Sequence, residues 1–184
     1  MVLTKTPLCN FGEKPHDFDL KAVDGKNYKL SDCLGEKGTI IMFICNHCPY
    51  VKAIIKELVE DINALKRIGI NTVAIMSNDT KNYPDDSFDK MILFAKLHKF
   101  NFPYLFDETQ QIAKKFGAVC TPDFFGYNKD LELQYRGRFK ELKELTPINT
   151  GESDLKSAMK MISRSQNGPK DQIPSMGCNI KWIK

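Results

Sequence analysis

Residues 39–49 read TIIMFICNHCP, and this stretch combines two patterns that together predict the fold. Its first part, 39–44, is a continuous apolar run rich in β-branched side chains, which is typical of a strand buried on both faces of a sheet. From Val51 to Leu65 apolar residues recur at helical spacing, and Gly69 ends that pattern. Two cysteines therefore lie where a buried strand passes into a long helix.

Cys45 and Cys48 are the candidate catalytic residues of this junction. The unpaired backbone N–H groups and the positive end of the helix dipole favour an anion there, and the thiolate is the nucleophilic form of cysteine. Because two residues separate the sulfurs at a helix start, we expect Cys45 and Cys48 to form a reversible disulfide.

His47 lies between the two cysteines. A cationic imidazole at this point would lower the thiolate pKa and make the disulfide more oxidising. Oxidants of the DsbA type resemble this chain in having a histidine just before the second cysteine. The alternative is a turn residue that faces solvent.

The cysteine pair could instead be half of a zinc site, but zinc needs about four ligands. The sequence has no second C-x-x-C pair and no histidine pair at ligand spacing. We therefore predict a redox pair with no metal and no cofactor.

The remaining pattern predicts an α/β fold in which helices cover both faces of a central mixed sheet. An N-terminal β-hairpin is expected around Asp24-Gly25, and the βαβ connections imply parallel central strands. The other predicted elements are strands at 70–76 and 104–106, helices at 85–99, 109–116 and 153–165, and a hairpin of 124–127 with 131–135.

The length and composition favour a single domain over residues 1–184, since 184 residues with 42% hydrophobic content can bury a substantial core. Residues 166–184 have no periodic pattern and are expected to form an irregular C-terminal tail that packs on the domain.

The charge pattern argues against nucleic-acid binding, because 27 basic residues are interspersed with 23 acidic ones and form no basic stripe. No apolar run is long enough to span a membrane. The first residues lack the apolar segment of a signal peptide, so we expect a cytoplasmic protein whose six cysteines are mostly reduced.

A second informative segment is VCTPDFF at 119–125. A proline just before an apolar strand suggests a fixed turn, although alone it would favour a trans proline at an edge strand. Together with the redox pair, the segment resembles the cis-proline loop of thioredoxin-like proteins. That resemblance implies a cis Thr121-Pro122 bond beside the cysteines, and makes both residues candidate site residues that contact the substrate.

The resemblance extends over most of the chain. PHDF at 15–18 and LSD at 30–32 resemble the opening of the AhpC/TSA (redoxin) branch of the thioredoxin-like superfamily. More narrowly, the chain is similar to peroxiredoxin-like thioredoxin-family proteins of bacteria in FICNHCPYVK (43–52), YPDD (83–86), FPYLFDETQ (102–110), CTPDFF (120–125) and PSMGCNIKW (174–182). This implies a thiol oxidoreductase acting on protein or small-molecule disulfides or on peroxides, with an external thiol reductant.

The resemblance leaves two assignments of the sulfurs open. In the thioredoxin assignment, which we favour, Cys45 attacks a substrate disulfide and Cys48 resolves the mixed disulfide. In the peroxiredoxin assignment, Cys48-Pro49 matches the end of the T-x-x-C-P motif, so Cys48 attacks peroxide and Cys45 resolves. The chain departs from the second pattern: Cys45 replaces the threonine, Ile41 replaces the expected proline, and no arginine lies near Thr121 in the sequence.

Two further cysteines are candidate additional thiols. Cys120 directly precedes Thr121-Pro122, and Cys178 lies in the tail. Either is an extra resolving thiol, a docking point for the reductant, or a packed thiol. A third class of function also stays open, a non-catalytic redox sensor or a metal-binding protein on the thioredoxin scaffold, because a fold alone does not fix a function.

Overall fold

The computed structural model describes residues 2–148 and 151–184. Its main feature is a seven-stranded sheet with the order β3-β2-β6-β5-β4-β8-β9. The strands of this sheet are β2 (Asp19–Ala22), β3 (Asn27–Lys29), β4 (Gly38–Phe43), β5 (Ile70–Met76), β6 (Tyr104–Phe106), β8 (Asp123–Asn128) and β9 (Leu133–Tyr135).

The sheet is mixed, as predicted. β4 pairs in parallel with β5, and β5 with β6, while β8 runs antiparallel to β4 and pairs Asp123 with Phe43 at the end of the strand. All residues of β4 are buried, in agreement with the continuous apolar run that predicted it. The central position of β4 places its carboxyl end, where the cysteines follow, in the middle of the sheet edge.

Helices cover both faces of the sheet. Three of them, α1 (Pro49–Lys66), α2 (Phe88–Leu97) and α4 (Asp154–Ser165), pack on the face that contains Ile40 and Met42. The short helix α3 (Gln111–Phe116) packs on the opposite face. The α/β architecture with two covered faces is therefore confirmed, and so is the N-terminal hairpin, which β2 and β3 form.

The predicted helix at 85–99 was too long. Pro84–Asp86 form a separate 3-10 turn, and α2 begins only at Phe88, after Ser87 at its N-cap. The proline fixes the backbone of that turn, and the helical pattern of the sequence did not distinguish the turn from the helix. The helix predicted at 109–116 likewise begins later, at Gln111.

The prediction of an irregular tail was wrong for part of its length. Met176–Asn179 form β12, the central strand of a second sheet between β1 (Leu3–Lys5) and β7 (Cys120–Thr121). The strand is short and contains a glycine, so it lacks the alternation that identifies a strand in a sequence. We also did not predict a hairpin of two short strands, which have two residues each: β10 (Leu142–Lys143) and β11 (Thr146–Pro147).

In the described part of the chain, no helix combines the length and apolar character that crossing a membrane requires.

Candidate redox site

Cys45 and Cys48 follow β4 at the start of α1. Cys48 is the N-cap residue of α1 and Pro49 is its first helical residue, a position where the missing N–H of proline removes no helical hydrogen bond. Both sulfurs are shielded, since Cys45 is 1% and Cys48 0% exposed. The sequence therefore placed the pair correctly at the strand–helix junction.

The turn between the cysteines is held by a buried carboxylate, Asp86. One of its oxygens accepts hydrogen bonds from the backbone N–H of Asn46 (2.8 Å) and of His47 (3.3 Å). The other lies 2.5 Å from His47 Nδ1 and accepts from Asn78 Nδ2 at 2.8 Å. Asp86 is fully buried, so these four contacts replace its hydration.

The Asn46 side chain anchors the same turn through two further hydrogen bonds. Its Nδ2 donates to the Asp85 carbonyl oxygen (3.1 Å), and its Oδ1 accepts from the Tyr104 hydroxyl (2.9 Å). The backbone between the two sulfurs is thus fixed by side chains from the 3-10 turn and from β6.

The environment of Cys45 as a whole favours its protonated form, although the Thr121 hydroxyl acts in the opposite direction. Its Sγ lies 3.4 Å from Thr121 Oγ1 and 3.9 Å from His47 Nδ1. Its contact with the Cys48 sulfur, its burial and the negative charge of Asp86 raise the pKa of Cys45 well above its usual range.

The Cys48 sulfur has the opposite environment. It lies 2.9 Å from Cys178 Sγ and 3.2 Å from the Thr121 carbonyl oxygen. Hydrogen bonds from the thiols of Cys178 and Cys45, together with backbone N–H groups of Cys178 and Val51, lower the pKa of Cys48 despite its burial. Of the two sulfurs in the pair, Cys48 is therefore the one that the protein stabilises as a thiolate.

His47 forms an ion pair with Asp86, and this hydrogen bond is the main reason why the pKa of His47 is raised. Its ring stacks on Tyr83, with centroids 6.0 Å apart and planes 8° from parallel. The raised pKa supports the cationic His47 that the sequence suggested. The negative charge of Asp86 offsets much of the effect of that cation on the sulfurs.

The Thr121-Pro122 bond is cis, which confirms the prediction. Thr121 ends β7 and contacts both sulfurs of the pair, Cys45 through its hydroxyl and Cys48 through its carbonyl oxygen. The structure therefore brings the five predicted catalytic residues together: Cys45, His47, Cys48, Thr121 and Pro122.

The other cysteines differ in their relation to this site. Cys178 contacts Cys48, whereas the buried Cys120 points its sulfur toward the Pro122 carbonyl oxygen at 3.8 Å. Cys33 is buried in the core on the opposite face of the sheet, where burial raises its pKa to about 12. Cys9 is half-buried, and burial raises its pKa to about 11.

A metal ion would find three ligand groups at this site in the described part of the chain. The ligand atoms of Cys45, His47 and Asp86 lie within 4.8 Å of one another. This is one ligand fewer than a structural zinc site requires. Both Asp86 oxygens already accept hydrogen bonds, so a metal would displace contacts that hold the turn.

The sequence reasoning missed Asp86, Asn78 and Tyr104 as parts of the site. Asp86 and Tyr104 did fall within the motifs YPDD (83–86) and FPYLFDETQ (102–110) that carried the family resemblance, which was the available signal. Nothing in those motifs showed that Asp86 faces the cysteine turn, because the two segments are separated by β5 and α1.

Comparisons with known proteins show which family this chain belongs to. The model of the AhpC/TSA family matches residues 11–139. An uncharacterized conserved protein from Geobacillus kaustophilus is 38% identical, with a TM-score of 0.94 over 100% of this chain and 97% of its own. A hypothetical protein from Sinorhizobium meliloti 1021 is 32% identical, with a TM-score of 0.90 and 98% coverage of both chains.

More distant structures share the fold alone. A peroxidoxin, BcpB, from Mycobacterium tuberculosis is 19% identical, with a TM-score of 0.56 over 69% of this chain and 83% of its own. A search of the curated proteins found no match. The family model covers more than half of the chain and two structures exceed 30% identity, so this thioredoxin-fold protein belongs to the AhpC/TSA family.

Proposed function

We propose that the protein is a thiol–disulfide oxidoreductase that exchanges dithiols and disulfides through Cys45 and Cys48. The observation that carries this proposal is geometric: the cis Thr121-Pro122 loop contacts both sulfurs of a cysteine pair that lies at the start of α1. The family supports a thiol oxidoreductase or peroxidase activity in general. We further propose that it works in redox homeostasis in the cytoplasm, with an external thiol as reductant.

The proposed reaction starts at Cys48, which reverses the assignment that the sequence favoured. The Cys48 thiolate attacks one sulfur of a substrate disulfide, so a mixed disulfide forms and one substrate thiolate leaves. Cys45 then gives up its proton and attacks Cys48 Sγ, which releases the second substrate sulfur as a thiol and closes the Cys45–Cys48 disulfide. The substrate is reduced by two electrons, and an external dithiol restores the pair.

We propose that the substrate binds in a cavity beside the cis-proline loop. The cavity has a volume of about 460 Å³, and its apolar lining includes Tyr50, Ile54, Pro122 and Phe139. Pro122 lines this cavity and directly follows Thr121, which contacts both sulfurs, so the cavity lies next to the site. An apolar side chain next to a substrate disulfide fits this lining.

A thiol-dependent peroxidase, with an antioxidant role, is the second candidate, and the thiolate environment of Cys48 favours it. The Cys48 thiolate would attack one peroxide oxygen, which breaks the O–O bond, releases water or an alcohol and leaves a sulfenic acid on Cys48. The Cys45 thiol would then condense with this sulfenic acid to give the disulfide and water. However, Arg136 is buried and donates to Asp123 and to the Gly117 carbonyl oxygen, so its guanidinium is not available to stabilise a peroxide. We therefore rank disulfide exchange first.

Turnover assays test the proposal. We expect the protein to accelerate insulin reduction by dithiothreitol more than it accelerates peroxide consumption, and we expect Cys45→Ser and Cys48→Ser each to abolish the first activity. Cys33→Ala is the matched control, since this thiol lies on the opposite face of the sheet. No turnover with either substrate would favour the redox sensor or metal-binding alternative, and peroxide turnover alone would favour the peroxidase.

The replacement His47→Ala is expected to raise the pKa of the reactive thiolate. The variant removes the cation that interacts with the Cys48 charge, and it leaves Asp86 without its cationic partner, so that the negative charge of Asp86 opposes a thiolate at Cys45. Since the reduced form loses stability, the reduction potential shifts in the reducing direction, by roughly 30 mV for each pKa unit. The measurements are the pH profile of thiol alkylation and a redox titration against glutathione.

The control for this prediction is His98→Ala, because His98 packs against Phe94 in the helical layer and has no contact with the cysteine turn among the described interactions. An unchanged pKa and potential in His47→Ala, equal to those of His98→Ala, would remove His47 from the redox chemistry.

A further inference from the structure

The third sulfur at the site belongs to Cys178. Its Sγ lies 2.9 Å from Cys48 Sγ. The register of the second sheet explains this contact, since β12 pairs with β7 so that Cys178 is opposite Thr121. Thr121 in turn contacts Cys48 through its carbonyl oxygen. The strand pairing thus brings a residue of the C-terminal segment against the start of α1.

The segment around Cys178 is seated closely on the cis-proline loop. A Cβ atom at Gly177 would lie 1.9 Å from the Thr121 carbonyl oxygen, so only glycine permits this approach. Two residues earlier, the Ser175 hydroxyl donates to the Pro122 carbonyl oxygen at 2.7 Å. This close packing fixes the backbone position from which the Cys178 side chain extends.

The chain is also anchored beyond Cys178. The backbone N–H of Lys181 donates to Asn78 Oδ1 (2.8 Å), and its carbonyl oxygen accepts from Gln110 Nε2 (2.7 Å). Asn78 is the residue that also donates to Asp86. The same polar network therefore positions the cysteine turn and the strand that carries Cys178.

We propose that Cys178 is a third redox thiol, which attacks Cys48 in the Cys45–Cys48 disulfide and forms a Cys48–Cys178 disulfide. This inference rests on the proposed exchange function. In the step, the Cys48–Cys178 bond forms while the Cys45–Cys48 bond breaks, and Cys45 leaves and takes up the proton that Cys178 released. The oxidation state of the protein does not change, so the substrate disulfide that oxidised the pair is the only oxidant required.

The charges around Cys178 fit the direction of this step. In the reduced protein, the hydrogen bond to Cys48, burial and the Cys48 charge raise the pKa of Cys178, while Lys181 lowers it. A Cys48 that is bonded in a disulfide carries no charge, so the main opposition to a Cys178 thiolate disappears. The released Cys45 regains the proton that its burial and Asp86 favour.

The step has a consequence for the substrate side of the site. It returns Cys45, the sulfur next to His47 and Thr121, to the thiol form while the disulfide is held between α1 and β12. An external reductant can then reduce the Cys48–Cys178 disulfide at Cys178, on the side of the second sheet. Oxidation also ties the C-terminal strand covalently to the helix.

Disulfide mapping tests the proposal. The full-length protein is oxidised with oxidised glutathione, quenched with acid, alkylated, digested and analysed by mass spectrometry. We expect wild type to give both the Cys45–Cys48 and the Cys48–Cys178 linked peptides, Cys45→Ser only the second, and Cys178→Ala only the first. Cys33→Ala should give the wild-type pattern.

The outcomes separate the two proposals. A Cys45–Cys48 link in wild type, with no Cys48–Cys178 link in wild type or in Cys45→Ser, overturns the role of Cys178 and leaves the exchange function intact. Absence of the Cys45–Cys48 link from wild type and from Cys178→Ala overturns both. The wild-type arm needs no substitution, so misfolding of a variant does not affect the decision.

Discussion

Replacing Cys48 with serine is expected to lower the rate of disulfide exchange by at least about a thousandfold, because in the reaction that we propose it removes the nucleophile rather than the resolving thiol. The Cys48 sulfur accepts hydrogen bonds from two thiols and from the backbone N–H groups of Val51 in α1 and Cys178 in β12, and these lower its pKa. A serine hydroxyl at the same N-cap does not ionise at neutral pH. The measurement is the rate of reduction of a small aromatic disulfide with stoichiometric protein, followed by release of its coloured thiolate.

Cys45→Ser is the matched comparison for this experiment. It should keep the first half-reaction, with one thiolate released per protein and a mixed disulfide on Cys48, while multiple turnover is lost. Alkylation of Cys48 in this variant should persist at a pH well below that at which an ordinary cysteine reacts, since the pKa of Cys48 is lowered. The reverse pattern, with a reactive Cys48→Ser and an inert Cys45→Ser, would assign the attack to Cys45.

The sequence predicts the parts of this site that local elements position, and it does not predict the parts that depend on contacts between distant elements. The strand-to-helix stretch at 39–49 placed Cys45, His47 and Cys48 correctly, because local periodicity identifies both elements and the pair lies at their junction. The segment at 119–125 became informative only through its resemblance to a known loop. The cis Thr121-Pro122 bond then agreed with that expectation.

The order of action that we propose for the two sulfurs could not be predicted in the same way. It depends on Cys178 and Asp86, which reach the turn from distant parts of the chain. β12 contains Gly177 in a strand of four residues, so neither alternation nor β-propensity revealed it. Asp86 lies in a 3-10 turn that the helical pattern absorbed into α2. Long-range contacts of this kind leave no periodic signal in a single sequence.

The second large effect is expected from Asp86→Ala, which should lower the free energy of unfolding by on the order of 3 kcal/mol. The fully buried carboxylate accepts hydrogen bonds from two backbone N–H groups and from Asn78, and it pairs with His47. Its removal leaves those donors and the imidazole without their acceptor inside the protein. Denaturant unfolding measures the loss, and Asp85→Ala, at the exposed neighbouring position, should change stability by no more than about 0.5 kcal/mol.

Asp86→Asn removes the negative charge of the side chain and keeps its shape, and the effect of this variant on stability should depend on pH. Because the pKa of His47 is raised above 6.5 in the folded protein, the ion pair contributes fully below that pH, and its contribution is lost as the pH rises through the folded pKa. The stability difference between wild type and Asp86→Asn should therefore be largest near pH 6 and shrink toward alkaline pH. The same variant removes the negative charge that raises the pKa of Cys45, so Cys45 should alkylate at lower pH. A difference in stability that is constant with pH, with Cys45 alkylation unchanged, would show that Asp86 acts through its shape and hydrogen bonds alone.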